Sequence, residues 1–161
     1  MQNKTLKQWE QAEHDLARMV KGVVVTDLTK QYADIDVETE RFSYSVKCQN
    51  NVLKYNSILF ETLLINTCNN SSMDGSFLKC EADRYAIKFD NTWLLFDTQA
   101  LKEMLLHKDA KYPIKTTQKW LEDKNKAEGR TYNRAKMLSL TPKQLINSAA
   151  FITGTNYKDI K

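Results

Sequence analysis

The chain has 161 residues, 42% of them hydrophobic and 27% charged, with only 4 Gly and 2 Pro. That length suits one domain around a single core, and the composition excludes collagen-like, low-complexity and broadly disordered chains. The net charge of +4 is unevenly spread: eleven Lys/Arg against five Asp/Glu fall between Lys102 and Lys143, whereas residues 1–101 carry eleven against fourteen.

Residues 4–21 have the spacing of an amphipathic helix, with Leu6, Trp9, Ala12/Glu13, Leu16 and Met19/Val20 at three- and four-residue steps and Gly22 as a stop. From Val23-Val24-Val25 onward the period changes to two. Ile35/Val37 and Phe42/Tyr44/Val46 alternate with polar residues, so residues 33–48 predict a strand pair turning at Thr39-Glu40-Arg41. Ile58–Ile65 is a further strand, and the Asn/Ser-rich stretch Asn66–Gly75 has the composition of a loop. Arg84–Phe89 and Trp93–Phe96 predict a second hairpin across Asp90-Asn91. Thr98, or Asp97 before it, caps a helix through Leu101, Met104 and Leu105. Thr117–Lys126 has helical spacing, and Thr141-Pro142 opens a short helix. The class expected is α/β, a small mixed or mostly antiparallel β-sheet flanked by helices. Residues 1–107 would form the core, and residues 108–161 a basic helical C-terminal extension of the same domain.

No apolar run approaches the ~18–20 residues of a membrane span, and the first residues lack the apolar stretch of a secretory signal, so the expectation is a cytoplasmic protein with no membrane partner. Cys48, Cys68 and Cys80 make no CxxC pair and stand far in sequence from His14 and His107, which argues for a reducing compartment and against a zinc site.

The chemistry concentrates in Ala33-Asp34-Ile35-Asp36-Val37 and Tyr44-Ser45-Val46-Lys47-Cys48-Gln49. Side chains alternate along a strand, so Asp34 and Asp36 would share one face, as would Ser45, Lys47 and Gln49. If the apolar sets of both strands are buried on one side, the two aspartates and the lysine meet on the other. Carboxylates beside an ammonium can hold a divalent cation and stabilise an attacking hydroxide or a developing phosphorane charge, which is phosphodiester hydrolysis. Asp34, Asp36, Glu38 and Glu40 could instead be a plain acidic strand face, but like charges so close repel, and a bound cation would relieve them. Glu38 and Glu40 are read as solvated. Asp83 is read as an acceptor of backbone hydrogen bonds. Glu13 or Glu10 could reach the same face from the first helix. His14 and His107 have no evident partner.

These residues resemble the PD-(D/E)xK nuclease superfamily, particularly its small phage-type members. The elements that match, over roughly residues 5–107, are the helix Leu6–Val20, Asp34/Asp36, Ser45-Val46-Lys47 followed by Gln49, Phe60-Glu61-Thr62-Leu63, and Phe77-Leu78-Lys79-Cys80-Glu81-Ala82-Asp83-Arg84-Tyr85. The resemblance implies a restriction-endonuclease-like core and a DNA endonuclease or exonuclease dependent on Mg²⁺ or Mn²⁺, phage-encoded and acting in the host cytoplasm. It implies Asp36, Lys47, Gln49 and Glu61 as catalytic residues. Asp36, with Asp34, Glu61 and the Val46 carbonyl, would hold the metal, while Lys47 and Gln49 orient water. Ser45 departs from the pattern, because it stands where the acidic member of the triplet belongs. Glu61 is its best substitute. A catalytically inactive nuclease-fold protein that binds nucleic acid or a host protein is the alternative.

DNA is the partner expected, gripped by Lys115, Lys119, Lys124, Lys126, Arg130, Arg134 and Lys136, since cationic segments gain affinity for phosphate by counterion release. A lysine-rich solvated helix face is the competing reading. Many nucleases of this type cut as homodimers, though no surface here selects one. Trp9, Trp93 and Trp120 are expected to pack in or against the core, and Tyr112, Tyr132 and Tyr157 suit either base stacking or helix packing.

Overall fold

Helix α1 (Gln8–Val20) opens the computed structural model, which describes residues 6–161. It buries Ala12, Leu16 and Ala17, but Leu6 and Trp9 stand exposed, Trp9 by 52%, so the apolar stripe covers only the later turns. The next elements are β1 (Val23–Val24), α2 (Leu28–Tyr32), β2 (Val37–Glu38) and β3 (Ser43–Cys48). Lys21, in the left-handed conformation, ends α1, and the Gly22 N–H reaches the Ala17 carbonyl at 2.8 Å, the 6→1 bond of a Schellman motif. Gly22 serves the sheet instead: a Cβ there would lie 2.7 Å from the Glu38 carbonyl oxygen, where β1 closes on β2.

The hairpin of β2 and β3 forms around the expected turn, with Val37 opposite Tyr44 and Thr39 Oγ1 accepting from the N–H groups of Arg41 and Phe42. Then follow α3 (Val52–Tyr55), β4 (Ile58–Ile65), β5 (Ser72–Asp74), α4 (Ser76–Lys79), β6 (Arg84–Phe89), β7 (Thr92–Asp97) and α5 (Thr98–Leu105). Asp97, rather than Thr98, caps α5 by accepting from Ala100 N–H at 2.8 Å. Strands β3 and β6 pair in parallel, and a parallel pair needs a long crossover connection. Here that crossover holds β4 and β5, which found a second sheet.

The last third departs from the expected helical extension. It holds β8 (Ile114–Thr116), α6 (Lys119–Ala127), β9 (Arg134–Leu140), α7 (Pro142–Ile146) and β10 (Phe151–Thr155). The six-stranded mixed sheet runs β1-β2-β3-β6-β7-β10, and the four-stranded antiparallel sheet runs β5-β4-β9-β8. Residues 108–161 thus complete both sheets, β9 by pairing with β4 along its length and β10 by pairing with β7. The basic residues of Arg134-Ala-Lys-Met-Leu-Ser-Leu masked its strand period. Only α7, with the capping box of Thr141 and Gln144, and α6 are helices there.

Helix α1 covers one face of the first sheet through Val37, Tyr44, Val46, Ala86 and Trp93. The other face meets the second sheet and α4, α5 and α7 in a larger core. At its centre Phe60 of β4, Phe77 of α4 and Tyr85 of β6 stack edge-on or tilted, with ring centroids 5.1–5.9 Å apart. Burying such rings contributes about 1.5–3 kcal/mol each, so this trio ties the two sheets together. No helix among the described residues is long and apolar enough to cross a membrane.

Candidate functional site

Asp34 reaches the site by a route that strand alternation does not describe. It terminates α2 in the left-handed conformation, φ 62°, with the Ile35 N–H bonded back to the Lys30 carbonyl at 3.0 Å. Aspartate tolerates that conformation better than most residues. The reversal turns Ile35 into the larger core, away from Val37 on the α1 face, and points Asp34 at β3. There Asp34 Oδ1 accepts from Lys47 Nζ at 2.7 Å, and Asp34 Oδ2 accepts from the fully buried Ser45 Oγ at 3.0 Å.

Asp36 enters the β2–β3 ladder itself. Its N–H donates to the Tyr44 carbonyl at 2.8 Å, and its Oδ2 accepts from the Val46 N–H at 2.7 Å, where a continued β2 would have offered a carbonyl. Val46 therefore joins the cluster through its amide. Burial, the larger effect, pushes the Asp36 carboxyl up, and the nearby Asp34 charge adds to it, while the Val46 hydrogen bond and the Lys47 charge oppose the rise.

Two further residues belong with these. Glu13, half-buried on α1, has its carboxyl pushed up to about 7, first by burial and then by the charges of Asp36 and Glu10, with Lys47 opposing. Of the two helix glutamates expected to be able to reach this face, Glu13 is the one whose raised carboxyl feels Asp36 and Lys47. Tyr85 is buried in full register opposite Ser45, its phenol raised well above its ordinary value by burial and by the charges of Asp34, Cys80, Glu61 and Asp36. Its phenol feels the charges of both aspartates and of Glu61, and it is the last residue of the segment Phe77–Tyr85 that carries the resemblance, though no role was expected of it. Cys80 lies beside them, buried, with its thiol pushed up by burial and then by Asp34, which keeps it protonated and unreactive.

Gln49 and Glu61 sit one step away. Gln49 donates to the Leu59 carbonyl at 2.7 Å and accepts from the Leu59 N–H at 3.0 Å, so its amide clips β3 to β4 as a strand would. Glu61 precedes a bulge at Thr62 in the pairing of β4 with β9 and accepts from the Ser76 N–H at 3.1 Å. Bulges of this kind re-aim neighbouring side chains. Gly75 permits the approach, since a Cβ would lie 2.5 Å from the Glu61 carbonyl oxygen. Among the described residues no three His, Cys, Asp or Glu side chains converge as a ready metal-holding set. Asp83 has the structural place expected of it, accepting from Ser43 N–H and Oγ at 2.9 and 3.1 Å and so locking β3 to the start of β6.

The basic residues divide into two groups. Glu122, buried on α6, accepts from Arg134 Nε and Nη2 at 2.9 and 3.2 Å and lies 3.5 Å from Lys126; the Arg134 guanidinium holds its carboxyl below the usual range. Lys119 pairs with Asp123, and Lys124 and Arg130 with Glu128. Lys115 on β8 and Lys136 on β9 make no ion pair among the described residues.

Between the outer face of the second sheet and α6 lies an open cleft of about 930 Å³. Leu59, Leu64 and Met137 form its floor, Gln49 and Glu61 line it too, and Lys115, Lys124, Arg130 and Arg134 stand around it. Trp120, 64% exposed, and Tyr55, 67% exposed, also line it, so Trp120 is not the packed residue expected. Tyr132 lines the cleft too, whereas Tyr112 and Tyr157 pack on the core. No protein-family model, curated protein or solved structure matches the chain.

Proposed function

We propose that the protein is a metal-dependent nuclease that hydrolyses DNA phosphodiester bonds at the edge where Asp34, Asp36 and Lys47 meet. The observation that carries this reading is their juxtaposition, the Lys47 ammonium 2.7 Å from Asp34 and Asp36 bonded to the neighbouring Val46, with Glu61 leading on to the basic cleft. Asp36 keeps Oδ1, and Glu61 keeps Oε2, without a hydrogen-bond partner among the described residues. Those oxygens, with the Asp34 carboxylate, are hard donors of the type that Mg²⁺ or Mn²⁺ takes. Such an ion would supply Lewis-acid stabilisation of the phosphoryl oxygens.

Lys47 has three N–H donors and spends one on Asp34, so two remain to orient water or a phosphate oxygen. Asp34 thereby fixes the ammonium's position. Glu13, titrating near neutrality, suits proton transfer to or from that water. Gln49 contributes by holding β3 against β4, which sets the distance from Lys47 to the cleft.

A non-catalytic nucleic-acid binder is favoured by one observation: Ser45 supplies a hydroxyl where a carboxylate belongs, and both Asp34 oxygens are already engaged by Ser45 and Lys47. The separating experiment is cleavage of supercoiled, linear, branched and single-stranded DNA with Mg²⁺ or Mn²⁺, beside Asp36→Ala, Lys47→Ala and an EDTA control. Nicking that needs metal and disappears in both variants is the expected result. Absence of cleavage on every substrate, with salt-sensitive binding intact, refutes the nuclease and leaves the binder.

A further inference from the structure

We infer that the cleft between the second sheet and α6 binds a single-stranded polynucleotide, bases inward and phosphates outward, and that unpaired strands are the substrate class of the proposed nuclease site. The inference rests on the nuclease reading in taking phosphate as the anion to be matched.

Two features of the cleft distinguish a single strand from a duplex, and a third matches the phosphates. Its floor is apolar, built from Leu59, Leu64 and Met137, on the face of the second sheet that α6 covers only in part. An apolar floor suits base faces, which a duplex keeps stacked inside itself. Next, Trp120 and Tyr55 expose their rings at the cleft although both are large apolar groups. The Trp120 indole N–H is engaged by Gln118 Oε1 at 2.5 Å, which holds the ring in one orientation, and Lys54 lies 5.2 Å from the Tyr55 ring centroid. Aromatic rings beside cations are the elements on which unpaired bases stack while their phosphates are neutralised.

The charge is arranged to match. Lys115 has no carboxylate partner among the described residues, and Lys124 and Arg130 share the single carboxylate Glu128 at 3.9 and 3.4 Å. Exposed pairs of that length are weak and exchange readily for phosphate. Arg134, by contrast, is fixed by Glu122 in a bidentate pair and serves the wall rather than the ligand. The sequence runs all seven basic residues together; the geometry selects Lys115, Lys124 and Arg130.

The test is fluorescence anisotropy of the full chain with labelled oligo-dT and oligo-U of about 12 nucleotides, and with a duplex of the same length, in EDTA so that no cleavage intervenes. Binding of a single strand at least about tenfold tighter than of the duplex is expected, lost on the order of tenfold or more in Trp120→Ala and partly retained in Trp120→Phe. Lys115→Gln should weaken binding and flatten its salt dependence. The dT and U arms distinguish DNA from RNA as the source of the strand. Equal or tighter duplex binding, single-strand binding indifferent to both Trp120→Ala and Tyr55→Ala, or binding of no oligonucleotide overturns the inference. Single-strand binding without metal-dependent cleavage would overturn only the nuclease, so the two failures are separable. Circular dichroism of Trp120→Ala checks that a loss of binding is not a loss of fold; an exposed ring predicts an unchanged spectrum.

Discussion

The two sheets are covered differently, and their chemistry follows from that. The first sheet is packed on both faces, by α1 on one side and the larger core on the other, so a charged group on it must be paired. Asp34, Ser45 and Lys47 accordingly bond to one another and Asp36 to the Val46 amide, leaving Asp36 Oδ1 and two Lys47 N–H donors over. The second sheet is packed on one face and only partly covered by α6 on the other. Its other face is the floor of the cleft, where large rings and weakly paired cations stand in solvent. A packed sheet can position a few charges accurately, and an open one can receive a ligand; Gln49 and Glu61 lie where the two meet.

Neighbouring residues of β4 test this difference most strongly. Phe60 is fully buried between the sheets, and Leu59, on the alternate face, lines the cleft. Phe60→Ala is expected to cost about 3–5 kcal/mol, through lost transfer energy and the cavity left beside Phe77 and Tyr85. Leu59→Ala should cost about 1 kcal/mol, since its face is already open. Urea denaturation measures both. Comparable losses at the two positions would show that the outer face is covered in solution and that the comparison is mistaken.

The next effect lies in the cluster. Asp34→Ala removes the partner of Lys47 and of Ser45 at a site where Lys47 and Asp34 expose 22% and 17% of their side chains. Orphaning a buried ammonium costs about 3–5 kcal/mol, and partial exposure reduces this to about 2 kcal/mol. Adding Lys47→Met to Asp34→Ala should recover much of that loss, because the uncompensated charge then disappears. A double-mutant cycle reads the coupling directly, and strictly additive losses would show that the pair does not hold the cluster.

How much of this was legible depends on which signal set the backbone. The second hairpin and the strand Ile58–Ile65 stand nearly where expected, whereas of the first hairpin's leading arm only Val37–Glu38 is strand. Asp34 and Lys47 were expected to meet, and they do, but through a left-handed residue at the end of a helix that periodicity cannot reveal. Strands β9 and β10 escaped notice because their partners, β4 and β7, lie between 55 and 82 residues away in sequence, and basic residues hid the alternation of β9. Glu13 was one of two helix glutamates expected to be able to reach the site, and Tyr85 closes the quoted segment Phe77–Tyr85, but tertiary packing is what selects both. The cleft, likewise, exists only because β8 and β9 extend a sheet begun in the crossover.

The smallest effect bears on whether α1 belongs to the site or merely covers the sheet. Glu13 has its carboxyl raised from an ordinary 4.5 to about 7, facing Asp36, Glu10 and Lys47. A carboxyl that binds its proton more tightly in the folded state favours folding while protonated. Its contribution is therefore fully present below pH 4.5 and lost as pH rises to about 7. Asp36, raised as well, adds a decline of the same sign. Glu13→Gln removes Glu13's share, so the variant should lose less stability than the parent across that window and be the more stable of the two near pH 8. The margin is about 1 kcal/mol, below the full value of the shift because the carboxyl is only half-buried. Thermal melts of both proteins from pH 4.5 to 8 measure it. Parallel pH profiles would mean that Glu13 ionises in solvent, that α1 is only a cover, and that the proton-transfer role proposed for it has no basis.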